Sequence, residues 1–359
     1  MPAAPLPPEP DVVSVREGEA IDEAAVARYL EGKLPATGRA LQVWQFPGGH
    51  ANLTYLLHYP GAGDYVLRRP PPGDLPASAH DMGREYRVLS VLWRAYPPAP
   101  RAFLYCEDRS VIGVPFFVME RRRGTVVRRE VPPEFGGGTD PAANRKLSEV
   151  VIDALADFHA VDPVAAGLGE LGKPEGYLQR QVSGWAQRWE RAKTREMPAA
   201  PEVIEWLEAR PPLSPPPTLV HNDWRLDNMA VAADDPGRCV AVYDWDMCTR
   251  GDPLTDVGTV LASWFEAGEE YQFLASVPSR VPGFMTRREA IDRYAARSRR
   301  DVGQMPYYYV FGLFKMGVVV QQLYYRWHKG QTKDDRMALG DQVAEGLFNL
   351  ARTHMEQHD

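Results

Sequence analysis

The tightest constraint on this chain is a polar stretch set between apolar runs: His221-Asn222-Asp223-Trp224-Arg225-Leu226-Asp227-Asn228, followed later by Asp244-Trp245-Asp246. Thr218-Leu219-Val220 leads into it, and Met229 to Ala233 leads out. Asp234-Asp235-Pro236-Gly237 is a turn signal, because aspartate bonds its own backbone, proline presets φ and glycine accepts positive φ. Cys239 to Tyr243 is apolar again and ends on Asp244. Two short strands around a tight turn predict an antiparallel hairpin, which sets Asn228 beside Asp244. An amide oxygen and a carboxylate converging there, with Asp223 five residues before Asn228, suit Mg2+. That hard cation takes oxygen ligands and keeps substrate phosphates among them.

The remaining sequence bounds the class. The chain has 359 residues, enough for two domains or lobes. Its net charge of −7 argues against a protein that tracks nucleic-acid phosphates. Cys106, Cys239 and Cys248 have neither metal spacing nor an even disulfide framework, so a reducing compartment is expected. Residues 1–11 lack a basic segment followed by an apolar core, and so do not form a signal peptide. The most apolar region, Tyr307 to Tyr325, is broken by Lys315 and Gln321-Gln322, which predicts a buried helix and no membrane span. A cytoplasmic protein is expected.

In chain order, residues 1–20 suggest a loose arm and Asp22 to Gly32 an amphipathic helix. Strands are expected over Leu41–Phe46, Leu53–Tyr59 and Tyr65–Arg69, with Gly48 and Gly49 in the turn between the first two. Glycine there lets backbone amides approach a phosphate, although an ordinary β-turn needs the same residues. A helix is expected from about Ala79 to Tyr96, carrying Glu85, and a strand over Val111–Glu120. Residues 126–140, with Gly136-Gly137-Gly138, suggest a loop. Helices follow over Asn144–Ala160, Gln179–Glu196 and Val203–Glu208. Beyond the hairpin they continue over Val257–Ala267, Arg287–Ser298, Pro306–Lys329 and Lys333–Thr353. His159 is expected to pack at a helix end. Trp185 and Trp189, four apart, are expected to share one helix face.

The spacing of the central motif resembles the catalytic loop of the protein-kinase-like superfamily. There an Asp faces the substrate hydroxyl, an Asn five residues on holds metal, and a later Asp bridges metal to the nucleotide phosphates. His-Asn-Asp in place of His-Arg-Asp, and Asp-Trp-Asp in place of Asp-Phe-Gly, are similar to the aminoglycoside phosphotransferase and choline kinase branch. The resemblance extends through Asn52-Leu53-Thr54-Tyr55, Tyr65 to Arg69, Arg84 to Leu89, Gly176 to Gln181, Phe311 to Lys315 and the run Gly251-Asp252-Pro253-Leu254-Thr255-Asp256. These segments resemble the subfamily that includes the kinase-like domains fused to some acyl-CoA dehydrogenases.

The resemblance implies an α+β, protein-kinase-like, two-lobed fold. Residues 1–120 would form a small antiparallel β-sheet N-lobe and residues 121–359 a larger, mainly helical C-lobe. It implies ATP-dependent phosphoryl transfer to a small-molecule hydroxyl, with GTP as the alternative donor. Asp223 would be the base, His221 would hold its loop, and Asn228 and Asp244 would bind Mg2+. Gly48, Gly49 and Asn52 would cover the nucleotide, and Met119 and Glu120 would meet its purine. Arg68 stands where a kinase has its strand-three lysine, with Glu85 as its acidic partner; Arg69 is the alternative. Asp252 and Asp256 would be structural.

Two other classes remain open: a nucleotide-binding pseudokinase, and a metal-dependent hydrolase built on His221 and nearby aspartates. Within the kinase reading, an aminoglycoside competes with a hydroxyacyl thioester or another metabolite. Trp185, Trp189, Trp264, Phe265, Tyr307, Tyr308, Tyr309 and Tyr324 would make an apolar pocket, ill suited to a polycation. No nucleic-acid or membrane partner is expected.

Overall fold

Alternating burial builds the first sheet. In strand β2 (Leu53–Tyr59), Leu53, Tyr55, Leu57 and Tyr59 point to one face, where they meet Val43, Leu67, Phe116 and Val118. Leu56 points to the other face and meets Val12 and Trp44. This is the period of two that a pleated strand imposes, with both faces covered. The computed structural model describes residues 9, 11–35, 37–38, 40–47, 52–71, 81–269, 277–332 and 334–357. They fall into two units, Met1–Arg123 with Tyr243–Asp246, and Gly124–Val242 with Met247–Asp359.

The first unit runs α1 (Glu23–Leu30), β1 (Gln42–Gln45), β2, β3 (Gly63–Arg69), α2 (Met82–Leu92), β4 (Ala102–Cys106), α3 (Arg109–Ile112) and β5 (Phe116–Glu120). The strands form one antiparallel sheet in the order β1-β2-β3-β5-β4. Helix α1 begins where Asp22 accepts the Ala25 amide at 2.8 Å, and it buries Val26 and Leu30 on the sheet.

Two expectations need correction here, and one strand was not anticipated. The segment before α1 is tied down rather than loose: Val13 bridges Gln45, and Glu9 pairs with Arg121 and Arg123, each at 2.7 Å. The strand expected over Val111–Glu120 is in part helix. Asp108 caps the Ser110 amide at 2.9 Å, α3 follows, and Gly113 closes it at φ +84° before β5 starts at Phe116. Strand β4 had no clear signal, because its middle residues are only half buried.

The second unit runs α4 (Pro141–His159), α5 (Tyr177–Ala192), α6 (Ala199–Ala209), β6 (Thr218–Val220), β7 (Met229–Ala232), β8 (Asp235–Val242) and β9 (Thr249–Gly251). Then come α7 (Leu254–Ala262), α8 (Arg287–Ser298), α9 (Met305–His328) and α10 (Gly340–Glu356). Strands β7 and β8 form the expected antiparallel hairpin, with Met229 opposite Val242. Its turn falls two residues earlier than the Asp-Asp-Pro-Gly run suggested, because Ala232 already pairs with Asp235. Register shifts on either side of Val231 absorb Pro236 and Gly237. The β6–β9 pair, in the register Val220 to Thr249, was not anticipated; three-residue strands carry too little pattern. Helix α10 starts at Gly340 rather than near residue 333, since Asp334 caps a separate short turn over Asp335–Met337.

Helix α9 is the buried centre of the second unit, packed against α5, α6, α7 and α10. Its crossing with α7 is backbone on backbone. A methyl group added at Gly258 would meet the Tyr308 carbonyl, and one at Gly312 would meet the Gly258 carbonyl. Neither obstacle is a side chain that could swing away. Among the described residues no helix is long and apolar enough to cross a membrane, and all three cysteines are free. Gly312→Ala is expected to lower unfolding stability by about 1–3 kcal/mol, the usual cost of overpacking a tight core. Gly184→Ala, on α5 with open space around it, should not. Denaturant melts of both variants check this.

Candidate active site

The loop from His221 to Asn228 is fixed from beneath by one buried carboxylate. Asp256, in the first turn of α7, accepts the backbone amides of His221 at 2.6 Å and Asn222 at 2.7 Å. His159 Nε2 lies 3.3 Å from the same carboxylate, and His159 Nδ1 lies 2.8 Å from the Tyr294 hydroxyl. Burial pulls the His159 pKa below 6.5, against the pull of Asp256. A neutral imidazole fits both contacts: Nε2–H donates to Asp256 and Nδ1 accepts from Tyr294. Burial alone would raise Asp256, but His159, His221 and the His221 amide hold it below the usual carboxylate range.

Asn222 has φ +69°, a left-handed conformation that asparagine tolerates better than most residues. All of its polar groups are engaged. The amide donates to Asp256, Oδ1 accepts from Tyr177 Oη at 2.6 Å, Nδ2 donates to the Met247 carbonyl at 3.0 Å, and the carbonyl accepts from Lys315 Nζ at 2.5 Å. His221 is fully buried, and its Nδ1 accepts the Asp223 amide at 3.2 Å. The ring is enclosed and ties down the backbone of the next-but-one residue. Asp252, the other aspartate of that run, accepts the Leu254 amide at 3.0 Å and the Tyr308 hydroxyl at 2.6 Å.

Asp223 is different. Its side chain is 35% exposed, whereas His221, Asn222 and Trp224 are buried; Arg225 and Asp227 are open as well. Asn228 Nδ2 donates to the Asp223 carboxylate at 2.8 Å and to its carbonyl at 2.9 Å. Arg225 Nε stands 3.7 Å from the other carboxylate oxygen. Because the Asn228 nitrogen is committed to Asp223, its oxygen is the atom left to serve as a ligand. The sequence reading did not single out Arg225 or Lys315. Arg225 could have been noticed from its place two residues after Asp223, whereas Lys315 looked like an interruption of an apolar helix.

The first unit holds a second cluster. Arg68 Nε pairs with Glu85 Oε2 at 2.9 Å, and Arg68 Nη2 pairs with Asp244 Oδ1. Trp245 donates its amide to Glu85 at 3.3 Å. Asp244, like Asn222, is left-handed, at φ +65°. Burial works against the Arg68 charge, but Glu85, Asp244 and Asp246 together raise its pKa. Burial raises Glu85, and Asp244 and Asp246 add to that while Arg68 opposes it. One guanidinium thus faces three carboxylates, an excess of negative charge that fits a divalent cation. Among the described residues no group of three or more His, Cys, Asp or Glu is placed to hold a metal.

Strand alternation separates the two arginines. Arg69 turns to the Tyr55 hydroxyl at 2.9 Å and to the Glu19 carbonyl at 2.9 Å, which leaves Arg68 with the carboxylates. Asn52 is buried just before β2. Met119 and Glu120 end β5, and the Glu120 amide donates to the Arg101 carbonyl at 2.9 Å. Gly48 and Gly49 lie outside the described residues. The aromatic residues expected to line a pocket mostly form core: Trp185, Trp189, Trp264, Phe265 and Tyr307 to Tyr309 are all buried.

These two clusters sit in a fold of the protein-kinase class. A candidate aminoglycoside phosphotransferase from Ralstonia eutropha superposes with a TM-score of 0.80 at 28% identity, over 94% of this chain and 99% of that one. A choline kinase from Cryptosporidium parvum superposes with a TM-score of 0.62 at 10% identity, over 94% of this chain and 96% of that one, which shows the shared fold. An aminoglycoside phosphotransferase crystallised with AMP-PNP and hygromycin B matches at 0.56 and 17% identity, over 92% of this chain and 98% of that one. The profile described as the phosphotransferase enzyme family matches residues 42–282, and the chain belongs to that family. Among curated proteins, acyl-CoA dehydrogenase family member 11 of Gallus gallus is 32% identical over 89% of this chain and 41% of its own length. Family member 10 of Mus musculus is 30% identical over 95% of this chain and 32% of its own length. The chain thus spans about a third to two fifths of those relatives.

His159 supplies a pH test of the loop's foundation. Its folded pKa lies below 6.5, so the unfolded chain binds a proton more readily. The stability that neutral His159 contributes is fully present above 6.5 and is lost as pH falls through that value toward the folded pKa. The wild-type denaturation midpoint should therefore drop more between pH 7 and pH 5 than that of His159→Gln. Parallel curves would mean that His159 takes up no extra proton on unfolding.

Proposed function

We propose that this phosphotransferase moves the γ-phosphoryl group of ATP, with GTP the alternative donor, to a hydroxyl of a small molecule in a Mg2+-dependent reaction. The observation that supports the reading is Asp223, a part-exposed carboxylate that accepts from Asn228 Nδ2 at 2.8 Å and stands 3.7 Å from Arg225 Nε. Asp223 orients the acceptor hydroxyl and takes its proton. The acceptor oxygen forms the new bond to phosphorus, the bond from phosphorus to the bridging oxygen breaks, and ADP leaves. When bound, Mg2+ neutralises charge on the phosphate oxygens in a loose transition state. Asn228 and Asp244 are its proposed protein ligands. Arg68, steadied by Glu85, is proposed to face the nucleotide phosphates, with Gly48, Gly49 and Asn52 covering them and Met119 and Glu120 near the base. Most of the rate gain then comes from positioning and fixed charge.

The acceptor is proposed to be a metabolite alcohol rather than an aminoglycoside. The relatives named as acyl-CoA dehydrogenase family members make hydroxyacyl thioesters the first class to test.

Asp223→Asn should keep nucleotide affinity and lose turnover by about a hundred- to ten-thousand-fold, the range for a positioned acid or base. Asp244→Ala should weaken Mg2+-nucleotide binding instead. Calorimetry with a non-hydrolysable ATP analogue, with and without Mg2+, read beside steady-state rates, separates the two effects. Equal turnover by Asp223→Asn and the parent would remove Asp223 from the base role.

A further inference from the structure

Helix α5 carries three arginines and one glutamate. Two of the arginines are accounted for locally. Arg180 donates to the carbonyls of Lys173 and Glu175, and Arg191 donates to Gln187 at 3.4 Å. The third, Arg188, makes no hydrogen bond or ion pair among the described residues. Its guanidinium lies 4.3 Å from the centre of the Trp185 ring. Lys315 from α9 approaches the same ring, with Nζ 5.6 Å from its centre.

Two cations thus approach one indole. Burial lowers the Arg188 pKa and Arg191 adds to the effect. Burial also lowers Lys315; Asp256 and Asp223 support its charge, while Arg188 and Arg225 oppose it. Arg188 thus opposes the charge on Lys315, a cost that an incoming anion would relieve. The position matters as well, because Lys315 Nζ donates to the carbonyl of Asn222, the residue immediately before Asp223.

We propose that Arg188, backed by Lys315 across Trp185, is a subsite for an acid group carried by the acceptor, which sets the acceptor hydroxyl against Asp223. This rests on the phosphotransferase reading above. The ligand chemistry is a carboxylate or phosphate, for which a guanidinium fork offers two parallel donors. A polycationic acceptor would meet like charge there. Lys315 is a positioning residue: it is only 5% exposed, and it holds the Asn222 carbonyl while adding its field beneath the site.

The test uses the full chain and four probes on one carbon skeleton: 4-hydroxybutanoate, 4-hydroxybutyl phosphate, methyl 4-hydroxybutanoate and 4-aminobutan-1-ol. Binding is measured by calorimetry with a non-hydrolysable ATP analogue present, and nucleotide binding is titrated separately. At least one acid should bind about tenfold or more tightly than the ester and the amine, and the better acid identifies carboxylate or phosphate as the group recognised. Arg188→Met should erase that preference while leaving nucleotide affinity within about twofold, and Arg188→Lys should restore part of it. Arg188 is on the exposed side of α5, so neither variant should disturb the fold. The subsite is overturned if the ester or amine binds as well as the acids, if Arg188→Met keeps the preference, or if neither acid binds at about 10 mM. A wild-type chain that binds no nucleotide would instead count against the phosphotransfer reading, and the acid titrations would still judge the subsite on their own.

Discussion

The site depends on one fully buried carboxylate. Asp256 gathers two consecutive backbone amides, those of His221 and Asn222, and so fixes a left-handed residue directly before Asp223. Charge-assisted hydrogen bonds of this kind are among the stronger ones a protein makes, and burial strengthens them further. The surrounding groups complete the hold. His159 supports Asp256, Tyr177 and Lys315 grip Asn222, and His221 takes the Asp223 amide. A strained turn persists only where its neighbours over-determine it, and here they do. The consequence is that Asp223, a part-exposed carboxylate, stands on a well-fixed base, the arrangement that catalysis by positioning requires.

The first unit repeats the theme with charge in place of backbone. Arg68 is buried and therefore needs partners; Glu85 and Asp244 provide them. Those partners, with Asp246, leave the cluster short of positive charge. Asp244 is also left-handed, so both motif aspartates are reached through backbone conformations that most residues avoid.

Much of this was legible in the chain. The hairpin followed from apolar runs on either side of a turn, and the partnership of Arg68 with Glu85 followed from the motif resemblance. The anchoring part of Asp256 was visible in the Gly-Asp-Pro run. What escaped notice has physical reasons. Strands of three residues have no period to read, and β4 is only half buried. A four-residue helix capped by Asp108 looked like the start of β5, because Val111 and Ile112 are strand formers. The aromatic residues of α9 matched a binding pocket as well as they matched a core, and burial shows that they are core. Lys315 and Arg188 meet only through the packing of α5 on α9, a contact that no spacing announces.

The central claim is that this loop transfers phosphate. The most direct measurement incubates the protein with ATP labelled with 18O in the γ-phosphoryl group, Mg2+ and a library of hydroxylated metabolites and thioesters, and follows the label by mass spectrometry. The account predicts a labelled phosphate monoester, formed with ADP in equal amount and absent with Asp223→Asn. A protein that binds ATP tightly yet passes no label to any hydroxyl would contradict it, and would make this chain a nucleotide-binding protein that has kept the loop without the reaction.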